Sequence, residues 1–408
     1  MLLFARVSPA TQPTSATPSS DAGRATRTSP IFQFASGRAA RNIRFQLSSN
    51  IIFVPVRVNG SPPLWFIFDT GASTTIINRR QAAALRLADK DKILGTATGG
   101  AIEATFVEHA SVALNGVTAV DRKIAVVSLV GLSPILGREI DGILGYDIIK
   151  QLVVQIDYRR QRIEAYAPDA FAYSGSGDIV PLIVEDKPFV AASANFAGGR
   201  RVAGKFMVDL GADDAMVLNT PFVTAHRLLD FVTRTVQSGV GGVGGASETV
   251  LGRVPSLRLG RFEMLHPIVT FSRATQGNEA SASYDGFIGG EVFRRFNLIL
   301  DSPRNRMILE PAAGLNGAFE NDMSGLDLIA AGVRFETVKI AEVTPATPAA
   351  EVGLREDDVI RSVDGRSASA LGLSRIRALF RKPGAIHSLT VERAGKTMTF
   401  RLRLRRLI

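Results

Sequence analysis

One plan occurs twice in this chain, and that duplication limits the available folds more than any other feature. The first copy contains an apolar run, Leu64-Trp65-Phe66-Ile67-Phe68, that stops at Asp69-Thr70-Gly71-Ala72. After it come Asp141-Gly142-Ile143-Leu144-Gly145, a short helix-like segment, and the strand-like runs Val153-Val154-Gln155-Ile156-Asp157 and Arg162-Ile163-Glu164-Ala165-Tyr166. The second copy has Lys205-Phe206-Met207-Val208 stopping at Asp209-Leu210-Gly211-Ala212. It continues with Asp285-Gly286-Phe287-Ile288-Gly289, another helix-like segment, and the runs Asn297-Leu298-Ile299-Leu300-Asp301 and Arg306-Met307-Ile308-Leu309-Glu310. A shift of 140 residues carries Asp69 onto Asp209, and a shift of 144 carries Asp141 onto Asp285. Two unrelated landmarks recurring at nearly one offset argue for duplication. Turn signals at Asn59-Gly60 and Gly198-Gly199 bound short β-rich runs, so each copy reads as an all-β lobe.

With 408 residues the chain is too long for one ordinary core. The boundaries expected are a disordered segment over 1–40, rich in Ser, Thr, Pro, Ala and Arg, a first lobe over 45–170, a second over 175–315, and a small α+β domain over 322–406. Cysteine is absent, which removes disulfides, thiol nucleophiles and cysteine zinc sites. The four histidines, His109, His226, His266 and His387, show no metal-ligand spacing. No cofactor and no metal are therefore expected, and the chemistry falls to carboxylates, hydroxyls and backbone. The net charge of +10 comes from scattered Lys and Arg, apart from the alternating run Arg401-Leu402-Arg403-Leu404-Arg405, which reads as a solvated strand face. Nucleic acid is not an expected partner, since no basic-aromatic stripe exists. No run of 18 apolar residues is present, so no membrane span is expected. The opening Met1-Leu2-Leu3-Phe4-Ala5 is too short for a signal-peptide core.

An aspartate at the end of an apolar strand is drawn toward the interior, where an ionised carboxylate is costly. If the second copy brings another aspartate beside it, the two share one proton. One carboxylate then acts as general base on a water while the other, protonated, polarises a carbonyl. Gly71 is expected at positive φ, turning the chain and bringing N–H groups near the carboxylate. The Thr70 hydroxyl is expected to bond across to the other lobe's loop. A lone Asp-Thr-Gly-Ala also fits a simple strand end; its recurrence together with the second landmark favours the chemical reading.

Phe68-Asp69-Thr70-Gly71-Ala72-Ser73-Thr74 resembles the active-site loop of the pepsin/retropepsin clan of aspartic peptidases, and Val208-Asp209-Leu210-Gly211-Ala212-Asp213-Asp214 resembles its retroviral version. Gly289-Gly290-Glu291-Val292-Phe293-Arg294-Arg295-Phe296 followed by Leu300-Asp301 is similar to the end of the pepsin C-terminal lobe. The resemblance covers about residues 45 to 311. It implies a mainly β protein with two acid-protease β-barrel lobes, a catalytic pair Asp69 and Asp209, and a polypeptide substrate. By family position Thr70, Gly71, Ala72, Ser73, Leu210, Gly211 and Ala212 support the carboxylates. Asp213 and Asp214 match residues that bind substrate backbone or set specificity. The Gly-rich segments Gly95-Thr96-Ala97-Thr98-Gly99-Gly100 and Gly239-Val240-Gly241-Gly242-Val243-Gly244-Gly245 match hairpin flaps, with Gly99, Gly100, Gly241 and Gly242 as substrate contacts; ordinary glycine-rich loops stay open as an alternative.

Two departures bear on activity. Leu210 stands where the family has threonine, so the cross-lobe lock is one-sided at best, and a degenerate peptide-binding scaffold is the alternative to a working enzyme. Ala72 and Ala212 lack the hydroxyl that pepsins place there, which implies a milder working pH.

Val343-Thr344-Pro345 through Asp358-Val359-Ile360, with Val363-Asp364-Gly365-Arg366, resembles the PDZ domains of bacterial envelope proteases. That implies a groove for protein C-termini, closed at one end by Ser324-Gly325-Leu326-Asp327-Leu328, and a periplasmic or envelope location. Leu326 and Leu328 fit plain core positions equally well. Oligomeric state is left open.

Overall fold

A computed structural model describes residues 31–97, 100–242 and 245–408. The protein is mainly β, with four sheets among the described residues. The two copies of the repeat build the same unit. In the first, Ile51–Val58 turns at Asn59 and Gly60, both at positive φ, and pairs antiparallel with Leu64–Phe68. In the second, Pro188–Asn195 turns through Gly198 and Gly199, again at positive φ, and pairs with Arg201–Val208. Asparagine and glycine tolerate this backbone, which explains the turn signals.

Each aspartate-bearing strand then gains a parallel neighbour from the second landmark. Gly142–Leu144 pairs with Leu64–Phe68, and Gly286–Ile288 pairs with Arg201–Val208. The matching bonds repeat almost atom for atom. The Asp69 amide donates to the Leu144 carbonyl at 3.0 Å and the Asp209 amide to the Ile288 carbonyl at 2.9 Å. Asp141 and Asp285, which sequence marks only as repeat landmarks, each accept a strand N–H on Oδ2 at 2.7 Å, from Trp65 and Lys205 respectively. They tie the landmark segment to its strand, and so fix the floor under each candidate carboxylate.

The four strands that end the two copies lie in one six-stranded sheet between the lobes. Val153–Asp157 pairs antiparallel with Phe296–Asp301, flanked by Arg162–Tyr166 and Arg306–Pro311. One hydrophobic cluster runs through both lobes by way of Ile156, Leu298, Leu300 and Leu309, all of them fully buried. The lobes therefore share a core, which holds their two aspartate loops in fixed relation.

The segment expected to be disordered is ordered at its end. Residues 1–30 lie outside the described residues, but Phe32–Phe34 pairs with Val117–Val127 and Ala39–Arg44 with Arg162–Tyr166, burying Ala40 and Ile43. The pairing partners lie some eighty to one hundred and thirty residues downstream, so local composition carried no sign of them.

The last domain has its own core, including Leu328, Ile340, Ile360, Ile376, Phe380 and Leu389. Its sheet runs in the order Leu326–Ala331, Thr337–Val343, Val359–Val363, Ile386–Arg393, Lys396–Arg403, with Leu326–Ala331 at one edge. One of its helices spans Leu373–Leu379. The basic run behaves as a strand face: Arg401, Arg403 and Arg405 are exposed, while Leu402 and Leu404 are buried. Among the described residues no helix is long and apolar enough to cross a membrane.

Candidate active site

Asp69 and Asp209 meet at the junction of the lobes, both fully buried. Gly71 N–H donates to Asp69 Oδ1 at 2.7 Å and Ala72 N–H to the same oxygen at 3.2 Å, while Gly211 N–H donates to Asp209 Oδ1 at 2.9 Å. The expected approach of backbone donors to each carboxylate is thus present. The expected positive φ is not, since neither Gly71 nor Gly211 is among the residues with left-handed backbone. Glycine is needed for another reason. A Cβ on Gly71 would stand 2.7 Å from the Asp209 carboxyl carbon, and one on Gly211 would stand 2.3 Å from that of Asp69. Each glycine makes room for the opposite lobe's carboxylate, and this close approach is what allows the pair to exist.

Among the described residues, Oδ2 of each aspartate accepts no N–H or O–H from outside the pair. Burial first, then the charge of Asp209 and a hydrogen bond with it, holds Asp69 well above the usual carboxylate range. Burial raises Asp209 to about 6, opposed by its hydrogen bond with Asp69 and by the nearby Lys187 ammonium. Two carboxylates this close cannot both ionise cheaply, so they titrate as a pair that shares a proton.

The lock between the loops is one-sided. The Thr70 hydroxyl donates to the Val208 carbonyl at 2.6 Å and accepts from the Leu210 amide at 3.0 Å. Leu210, in the matching place, is fully buried and has no hydroxyl to return the contact. Ala72 and Ala212 are buried, and their carbonyls accept from the Tyr146 and Gly290 amides at 2.7 and 2.8 Å, which pins each loop to its own lobe. Ser73 is half-buried at the end of the first loop.

Asp213 and Asp214 follow the second loop. Asp214 Oδ1 accepts from the Thr270 hydroxyl at 2.7 Å, and burial with the Asp213 charge pushes it up to about 7. The Asp213 carbonyl accepts from Asn50 Nδ2 at 2.9 Å, and the same amide group donates to Glu291 Oε2 at 2.8 Å. Asn50 therefore links the first lobe to the second beside the site. Sequence reasoning missed it, along with Lys187, which is 4% exposed and carries an ammonium whose pKa burial lowers. A Glu-Asp-Lys-Pro stretch reads as a solvated turn, so no local signal pointed inward.

The Gly-rich segments are hairpins and not irregular loops. Lys90–Ala97 pairs with Gly100–Leu114, and Thr235–Gly242 with Gly245–Arg253. Gly241 and Gly242 pair with Ala246 and Gly245 near the second turn. Gly99 lies outside the described residues. Gly100, at φ 131°, approaches Gln276 of the second lobe, so the first hairpin reaches across the junction.

The PDZ-like loop leads into the edge strand Leu326–Ala331. Its amides are bonded internally: Ser324 and Gly325 N–H donate to Asp322 Oδ1 at 2.8 and 2.9 Å, and Leu326 N–H donates to Ser324 Oγ at 3.1 Å. Leu326 and Leu328 are buried in the domain core, while Asp327 is exposed.

Comparison with known proteins agrees with the architecture. Residues 54–148 match the family model of an aspartyl protease, and residues 318–404 match that of a PDZ domain. The chain joins an aspartyl protease domain to a PDZ domain. No curated protein matches it.

Proposed function

We propose that this protein is an aspartic endopeptidase, with Asp69 and Asp209 as its carboxylate pair. The observation that supports this reading best is the pair itself: two buried carboxylates from two duplicated loops, each seated on the other loop's glycine, with Oδ2 of each free of donors from outside the pair among the described residues. Such a pair binds one water between its two carboxyl groups. With one proton shared, the ionised carboxylate takes a proton as the water oxygen attacks the scissile carbonyl carbon, and the protonated carboxyl donates to the carbonyl oxygen. The tetrahedral adduct collapses when the newly protonated carboxyl passes its proton to the amide nitrogen, the C–N bond breaks, and the other carboxylate takes the proton of one adduct hydroxyl, which leaves a carboxylic acid product and restores the one-proton pair. No metal or cofactor is required by this scheme. The two hairpins suit closure over an extended polypeptide, excluding bulk water.

The competing reading is a peptide-binding scaffold that has lost catalysis, and buried Leu210 in place of a hydroxyl is the observation behind it. Incubating the protein with an unfolded polypeptide from pH 3 to 8, with and without a statine-type inhibitor, beside Asp69→Asn and Asp209→Asn, separates the two. Inhibitable cleavage lost in both variants supports the enzyme. Absence of cleavage at every pH supports the scaffold. Cleavage that survives Asp209→Asn rejects the pairing.

A further inference from the structure

A PDZ domain takes a peptide by adding it as a strand to an exposed sheet edge, and the C-terminal carboxylate is held by backbone N–H groups. The edge beside the Ser324-Gly325-Leu326 loop is Leu326–Ala331, which pairs on one side only, with Thr337–Val343. The helix Leu373–Leu379 packs alongside it. These two elements are the walls of the groove.

That groove is already engaged by the peptidase part of the chain. The short helix Leu132–Leu136 of the first lobe packs against the edge strand. Arg377, on the groove helix, donates from Nη2 to the Leu328 carbonyl at 2.6 Å and from Nη1 to the Ile135 carbonyl at 2.8 Å. An incoming strand needs edge carbonyls as acceptors, and the guanidinium occupies the one at Leu328. On the other side of the contact, Gly137 ends the Leu132–Leu136 helix at φ 66°, so close to the groove helix that an added Cβ would stand 2.8 Å from Leu373 Cβ. Ser49 Oγ of the first lobe lies 3.5 Å from Ser374 Oγ. The amides at Ser324 and Gly325 are held by the Asp322 carboxylate, in the manner expected for a ligand's terminus.

The same helix, Leu132–Leu136, also touches Thr235–Gly242, the first strand of the second hairpin. Between these parts lies a cavity of about 480 Å³, lined by Asp213 and Gln237 on the peptidase side and by Gly325, Asp327 and Arg377 on the PDZ side. Asp213, four residues beyond Asp209, acts through its charge on Arg377. The lattice of contacts runs from the PDZ edge, through Arg377 and Ile135, to the hairpin and to the loop that carries Asp209.

We propose that the PDZ groove is latched shut in cis by the first lobe, and that a free peptide C-terminus binds only by displacing the Leu132–Leu136 segment and the Arg377 bridge. Because that segment abuts the second hairpin, occupancy of the groove loosens Thr235–Gly242. The latch stands whether or not the protein cleaves peptides; its consequence for cleavage rests on the reading above.

The test uses binding, which does not depend on catalysis. A fluorescein-labelled decapeptide ending in two valines with a free carboxylate is titrated with the full chain and followed by anisotropy, beside its C-terminally amidated form. Arg377→Ala is expected to bind the free-acid peptide about tenfold more tightly than the wild type. The chain has no cysteine, so Ser49→Cys with Ser374→Cys introduces the only thiols. Oxidised, this variant is expected to lose binding of the free-acid peptide, and dithiothreitol restores it, which also shows that the variant is folded. Hydrogen exchange over residues 235–242 is expected to rise on adding peptide to the wild type and to stay unchanged in the oxidised variant. Equal affinity of the free-acid peptide for wild type, Arg377→Ala and the oxidised variant overturns the latch. Absence of binding to all three, the reduced form included, overturns it as well.

Discussion

Removing the Thr70 hydroxyl tests the one-sided lock. In Thr70→Val the side chain keeps its shape but loses its donation to the Val208 carbonyl and its acceptance from the Leu210 amide, both buried. A buried polar group left without its partner costs about 1–3 kcal/mol. Two such groups, partly offset by the added methyl, bring the expected loss to about 2–4 kcal/mol. Leu210 offers no second hydroxyl to share the load. Thr70→Ser keeps both bonds and loses one buried methyl, for a cost of about 1 kcal/mol. Trp65, the only tryptophan, sits in the strand leading to Asp69 and reports unfolding of this part of the chain. Urea titration followed by its fluorescence should place Thr70→Val well below Thr70→Ser in midpoint with an unchanged slope, and cleavage should be lost in Val and kept in Ser. If the two variants unfold within about 0.5 kcal/mol of each other, the hydroxyl does not join the lobes and the reasoning fails.

Three further expectations follow from the pair. Its shared proton is needed for catalysis, so kcat/KM should fall as pH drops through about 6, where Asp209 takes up its proton; a rate maximum near pH 2 refutes this. Lys187 favours the ionised form of Asp209, so Lys187→Met should move that acid limb to higher pH, read from the same profile. Asp209→Asn should abolish cleavage while stabilising the fold at pH 7. The folded carboxyl, raised to about 6, lies above the ordinary carboxylate value of 3.8, so the wild-type carboxyl loses stability as pH rises between the two, by roughly 3 kcal/mol in all. The gain in melting temperature should therefore be present at pH 7 and vanish below pH 3.8.

The repeat made both aspartates legible because apolar runs, turn residues and glycines leave marks within a few positions of themselves. The alternating basic strand was readable on the same ground, whereas the hairpins were expected only from the family resemblance. Misreadings cluster where the deciding contact is distant. Gly71 looked like a turn glycine, yet neither it nor Gly211 has left-handed backbone, and the constraint on both comes from the opposite carboxylate, 138 and 142 residues away along the chain. The strands at Phe32–Phe34 and Ala39–Arg44 sit in a stretch whose composition suggests disorder, and pairing with remote strands orders them.

The sequence by itself determined the β character of the lobes, their duplication, the identity of the two candidate carboxylates and the presence of a separate PDZ domain, since each is written in short-range periodicity or motif. Only the tertiary structure decided that the carboxylates meet, that the Thr70 hydroxyl bonds the backbone on both sides of Asp209, that Asn50 and Lys187 flank the pair, and that the first lobe rests in the PDZ groove through Arg377. Those outcomes depend on which polar groups packing leaves within 3 Å of each other, and a hydrogen bond between residues 242 positions apart, as between Arg377 and Ile135, leaves no trace in the local pattern of either.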